Sequence, residues 1–472
     1  MRVFINDEQS AFLERELVMK APERLVHLIG RQLAPGILEV TDLVLDVRAD
    51  ASRIHCRPSV EAQDLIQEKE LATRHRYLGI IHSHPRSCPE PSGPDVSAGH
   101  HTLTLNEHWD TFLIGVVTDR WSNQVGEGRA RLGTGQLSLH MADRRAPNSL
   151  LPVDAMLGDA ANPFAALRAR MPELELEAAI GRRVAVFGAG SLGSCIAETL
   201  VRNGVTAVDL VDPDRVEGVN LSRSVYTSRD VGRLKVEALA ARLRDINPAV
   251  ATWTYPLGLE AATADVGQAI VRGADLVVCV TDDPRAQEIL DHLLEDEETP
   301  GLFAGVHAGG HTGELVLVIP GLTTCYRCTA GAHRTAALRS PDMDYSTGRH
   351  RGSVALGADV TTIATLAAKT ALELLTLVYA GGTSLFKPVQ DRCTFVLIGL
   401  ADESFASFPS FERIPNQHQM QSLWLPASSQ ADCRCAPSAR QASESTGPVV
   451  HRRPMWRWSS RPRRKHYVVG SS

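Results

Sequence analysis

Three residues within a short stretch can hold one metal ion. In YLGIIHSHPRSCPEPSGPDVSAG, His82 and His84 stand two apart and Asp95 follows a Pro- and Ser-rich loop. The aliphatic run before His82 reads as a β-strand, and side chains two apart on a strand share a face, so both imidazoles can address one ion. The loop is expected to bring Asp95 back at the start of the next helix as a third ligand. Two His and one carboxylate leave a fourth position for water, the open arrangement of a catalytic zinc. Bound zinc lowers the pKa of such a water to about 7, and a nearby base must still collect its proton. Ser92, three residues before Asp95, is placed to donate a hydrogen bond to an oxyanion. The competing reading is a pair of structural histidines followed by a Pro-rich loop.

His-Ser-His-Pro, six residues, Ser, two residues, Asp resembles the JAB/MPN (JAMM) metalloprotease signature. That resemblance implies a mixed α/β zinc-hydrolase domain that cleaves amide or isopeptide bonds after the tail of a ubiquitin-like protein. It also implies a glutamate base near the N-terminus, in a Glu…Gly segment preceding the first strands. PERLVHLIGR matches, with Glu23 as the base and Gly30 as the closing glycine. The family's usual Cys-Gly in that segment is Leu25-Val26 here.

A second constellation begins at Arg183. RVAVFGAGSLG reads as a buried strand breaking into a glycine-rich turn, SCIAETLVRNG as a helix, and AVDLVDPDRV as a second strand. Gly188, Gly190 and Gly193 fit G-x-G-x-x-G, which lets backbone approach a phosphate at a helix N-terminus. Asp212 ends the next strand, where an acid can hold ribose hydroxyls. A nicotinamide dehydrogenase would explain these residues, but not Asn220, Arg223, Lys235 and Asp282 together.

That longer set resembles the ThiF/MoeB/HesA activating family, which implies a Rossmann-like doubly wound adenylation domain using ATP and Mg²⁺. By resemblance, Asp212 binds ribose, Asn220, Arg223 and Lys235 contact the triphosphate, and Asp282 sits by magnesium. The family's Asp-Asn is Asp282-Asp283 here. Cys325-Tyr-Arg-Cys328 stands where the family places half of a structural zinc site. The other half is Cys433-Arg-Cys435, one residue shorter than the usual Cys-x-x-Cys, and a zinc held by all four cysteines is expected. The crossover loop after Cys328 contains no cysteine, although many members carry a thioester cysteine there. The expectation is adenylation without a covalent thioester, or handover to a separate conjugating or sulfur-donor protein.

The elements that position these groups set the domain plan. The chain has 472 residues, too many for one ordinary core. Residues 1–145 read as the JAB/MPN-type unit and 146–179 as a linker with a lead-in helix. Residues 180–435 read as the adenylating domain and 436–472 as a disordered basic tail. With 43% hydrophobic and 22% charged residues and a net charge of −6, the chain has no bias toward nucleic acid or acidic membrane. Trp and Arg interleave in the tail, which reads as solvated chain rather than a nucleic-acid site. No uninterrupted apolar run approaches membrane-spanning length, and no secretory signal is evident, so a cytoplasmic enzyme is expected.

The joint expectation is a bifunctional enzyme of a bacterial ubiquitin-like system. Its partner is a ubiquitin-like or sulfur-carrier protein ending in Gly-Gly, hydrolysed at its tail by one domain and adenylated by the other. Alternatives are sulfur-carrier maturation for cofactor or metabolite biosynthesis, an antiphage conjugation system, or a non-catalytic JAB scaffold. A homodimer is expected from the family, with Arg168 and Arg170 as candidates for a residue lent across its interface.

Overall fold

The computed structural model describes residues 1–159 and 179–436, apart from 19–22, 35, 52–55, 74, 85–87, 107–108, 120–127, 248–249, 261–262, 308–309, 332–342, 345–348, 351–354, 380–383 and 401–419. The expected lead-in helix, Arg168, Arg170, most of the cysteine-free crossover loop and the basic tail lie outside these. The chain divides into two compact units, the break falling after residue 166.

The first unit is a sheet of nine strands. They are β1 (Arg2–Ile5), β2 (Leu25–Ala34), β3 (Ile37–Leu45), β4 (Arg76–Ser83), β5 (Thr111–Thr118), β6 (Arg129–Leu132), β7 (Gly135–Asp143), β8 (Leu150–Pro152) and β9 (Asp154–Leu157). Eight run in the order β8-β7-β5-β4-β2-β3-β1-β9, and β6 pairs with β7. α1 (Asp7–Leu17) starts where Asn6 and Gln9 cap each other reciprocally, with Asp7 and Glu8 favouring the positive end of the helix dipole. Its Leu13 and Leu17 join Val26, Leu28, Ile81 and Leu113 on one side of the sheet. α2 (Val60–Thr73) and α3 (Gly93–Leu105) cover the other, where Ile66 and Leu103 pack with Leu25, Ile80 and Ile114.

Two expectations are corrected here. The Glu…Gly segment does not precede the first strands: from Leu25 on it is itself a strand, β2, paired antiparallel with β3 and β4. Gly30 sits in it where a Cβ would collide with the Glu39 carbonyl, so close approach of β3 demands glycine. Nor is 146–157 a linker. β8 extends the sheet beside β7, and β9 pairs parallel with β1, matching Arg2 to Asp154 and Ile5 to Leu157. Strands of three and four residues carry too little alternation to be read locally.

The second unit is an eight-stranded sheet. β10 (Arg183–Phe187), β11 (Ala207–Val211), β12 (Ala251–Tyr255), β13 (Leu276–Cys279) and β14 (Gly301–Val306) are parallel. β15 (Thr312–Val318), β16 (Cys393–Gly399) and β17 (Gln421–Pro426) follow antiparallel. The order is β12-β11-β10-β13-β14-β15-β16-β17. α4 (Ser191–Arg202), α5 (Lys235–Ile246) and α8 (Gly357–Tyr379) pack on one face. α6 (Ala264–Gly273) and α7 (Pro284–Asp296) pack on the other. This is the expected doubly wound arrangement, with both faces of the parallel strands covered. α8 is long and apolar enough to cross a membrane by composition alone. Its Val360, Ile363, Ala364, Ala367, Ala371 and Leu374 are nonetheless buried in this core.

Candidate functional sites

In the first unit, β4 delivers His82 at its end and His84 just beyond it. His82 stands opposite Leu25, on the sheet face covered by α3. Ser92 caps α3, and Asp95 is that helix's third residue, as expected. The Nε2 of His82 lies 3.3 Å from one Asp95 carboxylate oxygen, and the Nε2 of His84 lies 3.6 Å from the other. Ligands at about 2.1 Å in a tetrahedron stand about 3.4 Å apart, so both His–Asp edges match a zinc ligand set, and all three donors lie within 4.8 Å of one another. Burial alone would raise the Asp95 pKa, but hydrogen bonds from His82 and His84, the charge of His82 and the Ser92 hydroxyl hold it well below the carboxylate range. Burial opposes protonation of His84, yet its bonds to Asp95 and the Cys88 carbonyl and the charges of Asp95 and Glu23 raise its pKa.

Glu23 is buried and belongs to this end of the sheet. Its neighbour Arg24 receives the Ser83 amide at 3.0 Å and gives its own amide to the Ser83 hydroxyl at 2.8 Å. Ser92 is engaged differently from the expectation. Its hydroxyl donates to Asp95 at 2.6 Å, as does its amide, so its one hydroxyl hydrogen orients a ligand rather than standing free for an oxyanion.

Sequence reasoning missed what ties down the loop between the ligands. The Cys88 carbonyl accepts from His84 Nδ1 at 3.2 Å. Two residues on, the Glu90 carboxylate binds the Arg129 guanidinium on β6 and lies 3.5 Å from Nε2 of buried His140 on β7. Partners 39 and 50 positions away leave no local signal.

In the second unit a shallow cleft, open to solvent, lies at the carboxyl ends of β10, β11 and β13. That is where the strand order reverses, the usual ligand position of such sheets. Gly188, Asp212, Pro213, Leu257, Thr281 and Asp283 are among its lining. Gly188 has φ +104°, and a Cβ there would press on Val280 and Thr281. A Cβ on Gly193 would strike the Gly188 carbonyl, whereas Gly190 caps α4 with open space before it. The glycines therefore serve the turn and its packing, leaving the helix N-terminus accessible to an anion.

Asp212 is buried and pins this turn. Its carboxylate accepts the Ala189 amide at 2.7 Å and the Asp214 amide at 2.8 Å, and burial raises its pKa. A carboxylate has about four acceptor positions, so ribose hydroxyls can still be received. Lys235 bonds Asp214 at 2.8 Å, with its ammonium 3.9 Å from Asp212. Asn220 accepts the Glu217 amide at 2.8 Å in a short 3₁₀ turn that also leads to Arg223. Asn220, Arg223, Lys235 and Asp282 stand outside the cleft's lining. Asp282 is exposed and has no hydrogen-bond partner among the described residues, which suits a ligand for magnesium. Asp283 instead caps α7 through the Arg285 amide.

The two cysteine pairs converge. Sγ of Cys325 is 3.6 Å from Cys433, and Cys435 is 3.5 Å from both Cys328 and Cys433. Zinc–sulfur bonds of about 2.3 Å in a tetrahedron give edges of about 3.8 Å, so this donor set fits zinc, and the shorter Cys-x-Cys half does not prevent closure. The Cys435 contact and burial push the Cys325 thiol up, burial pushes Cys328 up to about 12, and the bond with Cys325 lowers Cys435 to about 5, as expected for thiols sharing one tight cluster. Arg327 donates to Cys433 at 3.4 Å.

Residues 166–412, more than half of the 472, match the ThiF family. The ubiquitin-like modifier-activating enzyme 5 of Drosophila ananassae is 29% identical over 199 residues, 40% of this chain and 50% of that protein. The sulfur carrier protein ThiS adenylyltransferase of Bacillus subtilis (strain 168) is 35% identical over 153 residues, 32% of this chain and 44% of that protein. The chain thus spans about half the length of the curated relatives it matches. A crystal structure of E. coli MccB with ATP is 18% identical, with a TM-score of 0.41, covering 58% of this chain and 71% of that one. The first unit lies before the family match, and its reading rests on its own geometry. Through the second unit, the chain belongs to the ThiF family.

Proposed function

We propose that the second unit adenylates the C-terminal carboxylate of a ubiquitin-like or sulfur-carrier protein ending in Gly-Gly. The observation that carries this is the glycine turn of a ThiF-family domain, fastened by Asp212 at the mouth of the switch-point cleft. The substrate carboxylate attacks the α-phosphorus of ATP. A carboxyl O–P bond forms, the bond to the β-phosphate oxygen breaks, and pyrophosphate leaves with the electron pair. Asn220 donates a hydrogen bond to the triphosphate, and the charges of Arg223 and Lys235 offset those that move onto the leaving group. Lys235 must exchange its Asp214 partner to do so. Magnesium held at Asp282 would supply further charge neutralisation. The test is ATP–pyrophosphate exchange, which Asp282→Ala should abolish. The cysteine-free loop excludes a thioester there, so a dithiothreitol-labile adduct on this chain would contradict the reading.

The first unit reads as a zinc-dependent amide hydrolase acting on the same tail, supported by the convergence of His82, His84 and Asp95. A zinc ion on these ligands would supply a water acidic enough to attack at neutral pH. Glu23 would serve there as the base that holds a proton at its carboxylate and delivers it to the leaving amine. Ser92 keeps Asp95 oriented and turns its hydroxyl to the oxyanion only by releasing that bond. Glu23→Gln should abolish cutting of a Gly-Gly protein extended by a few residues while zinc stays bound; undiminished cutting would remove Glu23 from this role. One chain carrying both sites raises the local concentration of the trimmed tail at the second. Magnesium, both zinc ions, homodimerisation, a separate conjugating or sulfur-donor partner, and cytoplasmic residence remain part of this proposal.

A further inference from the structure

We infer that the cysteine knuckle positions the wall of the nucleotide cleft, through Tyr326 and Gln287. Every link between them is a defined contact. Asp291, buried on α7, accepts the Tyr326 amide at 2.7 Å and the Arg327 amide at 3.1 Å, so the knuckle backbone is clamped to that helix. The Tyr326 ring stacks on Phe303 of β14, with centroids 4.0 Å apart and planes at 13°. This stacking aims the phenol along α7 toward its first turn. There the Tyr326 hydroxyl donates to Oε1 of Gln287 at 3.1 Å. Gln287 in turn donates from Nε2 to the Thr281 carbonyl at 2.9 Å.

The amide of Gln287 has a single sensible orientation. Thr281 offers only a carbonyl, so it must face the NH₂ group, leaving the oxygen for the phenol. Thr281 then lines the cleft. Its hydroxyl accepts the Asp283 amide at 3.2 Å, and its backbone lies where a Cβ on Gly188 would collide. A shift of the knuckle is therefore passed through rigid groups to the turn carrying Asp282 and to the glycine loop. Four sulfurs brought to tetrahedral spacing fix the far end of this chain.

Tyr326 and Gln287 are positioning residues: neither lines the cleft. The inference rests on the cleft being the ATP site. If so, nucleotide affinity should depend on a hydroxyl and an amide that nucleotide never touches. Tyr326→Phe keeps the stacked ring and removes the hydroxyl that bonds Gln287. Gln287→Glu keeps an acceptor for the phenol but sets a carboxylate oxygen against the Thr281 carbonyl.

The test is a double-mutant cycle on the zinc-loaded full chain, read by ATP binding and by pyrophosphate exchange. Zinc content verifies an intact knuckle in each variant. Each single variant should weaken ATP binding about fivefold and raise KM for ATP with kcat little changed, the scale of one lost hydrogen bond. Because the two links act in series, the double variant should bind no more weakly than the weaker single one. Wild-type affinity in both singles, or additive losses in the double, would overturn the inference. Failure of the wild-type chain to bind ATP would instead sink the reading of the cleft.

Discussion

The Nε2 of His82 lies 3.3 Å from the carboxylate of Asp95, joining the end of a strand to the first turn of a helix. Together with His84 this makes one of two metal-competent clusters among the described residues, the other being the four cysteines. The full chain should therefore bind two equivalents of zinc. His82→Ala should remove one equivalent and leave the other in place, measured by metal analysis after exhaustive dialysis. A variant still holding two would dissolve the first site.

The Glu90 contacts with Arg129 and His140 fix the loop whose Cys88 carbonyl orients the His84 ring. Partners of this kind, one step behind metal ligands, alter metal affinity by about 10- to 100-fold when removed. Glu90→Gln should weaken zinc binding at the first site by about tenfold, without changing stoichiometry, in competition with a chromophoric chelator. Unaltered affinity would show that the loop holds its place without the clasp.

How much of this was legible in the sequence depends on the range of the interaction concerned. His82, His84 and Asp95 announce themselves because strand periodicity and a helix cap are local rules, and both govern here. The strand, glycine turn and helix from Arg183 to Arg202 are equally local. The strands past residue 146 are harder to read: β8 is a three-residue edge strand ending in Pro152 beside β7, and β9 is defined by β1 at the far end of the unit's sequence. β2 overlaps the Glu23…Gly30 pattern, and its strand character shows only in its pairing with β3 and β4. The fastening of the Gly188 turn by Asp212 could not be seen either, since it needs two strand ends to meet in space.

Asp212 is expected to matter to nucleotide binding before any ribose contact is considered. Asp212→Ala removes a buried carboxylate that accepts two backbone amides, leaving both N–H groups without that partner. Hydrogen bonds to charged groups contribute about 1.5–3 kcal/mol. ATP affinity should therefore fall by about 10- to 100-fold in a titration calorimeter. A loss below twofold would separate Asp212 from the site.

The first unit also contains a pH-dependent pair, Asp46 and His27, that is not part of the candidate ligand set. Burial alone would raise the Asp46 carboxyl, but the His27 ring and the Ser59 amide and hydroxyl hold it at about 2, below its ordinary 3.8. A pKa lowered on folding stabilises the fold fully above the unfolded value and ceases to do so as pH falls through the folded one. The contribution, about 2 kcal/mol by that linkage, should thus be present above pH 4 and fade toward pH 2. Urea unfolding of wild type and Asp46→Asn at pH 6 and at pH 3 checks this. A stability difference that widened on acidification would have the wrong sign.

The two activities meet in one measurement: ATP–pyrophosphate exchange driven by a ubiquitin-like protein ending in Gly-Gly, offered either trimmed or extended by a few residues. Trimmed protein should support exchange in the wild-type chain and in Glu23→Gln alike. Extended protein should support it only in the wild type, after a lag for trimming. Equal exchange from the extended protein in Glu23→Gln, or no exchange from the trimmed protein in either chain, would contradict the account.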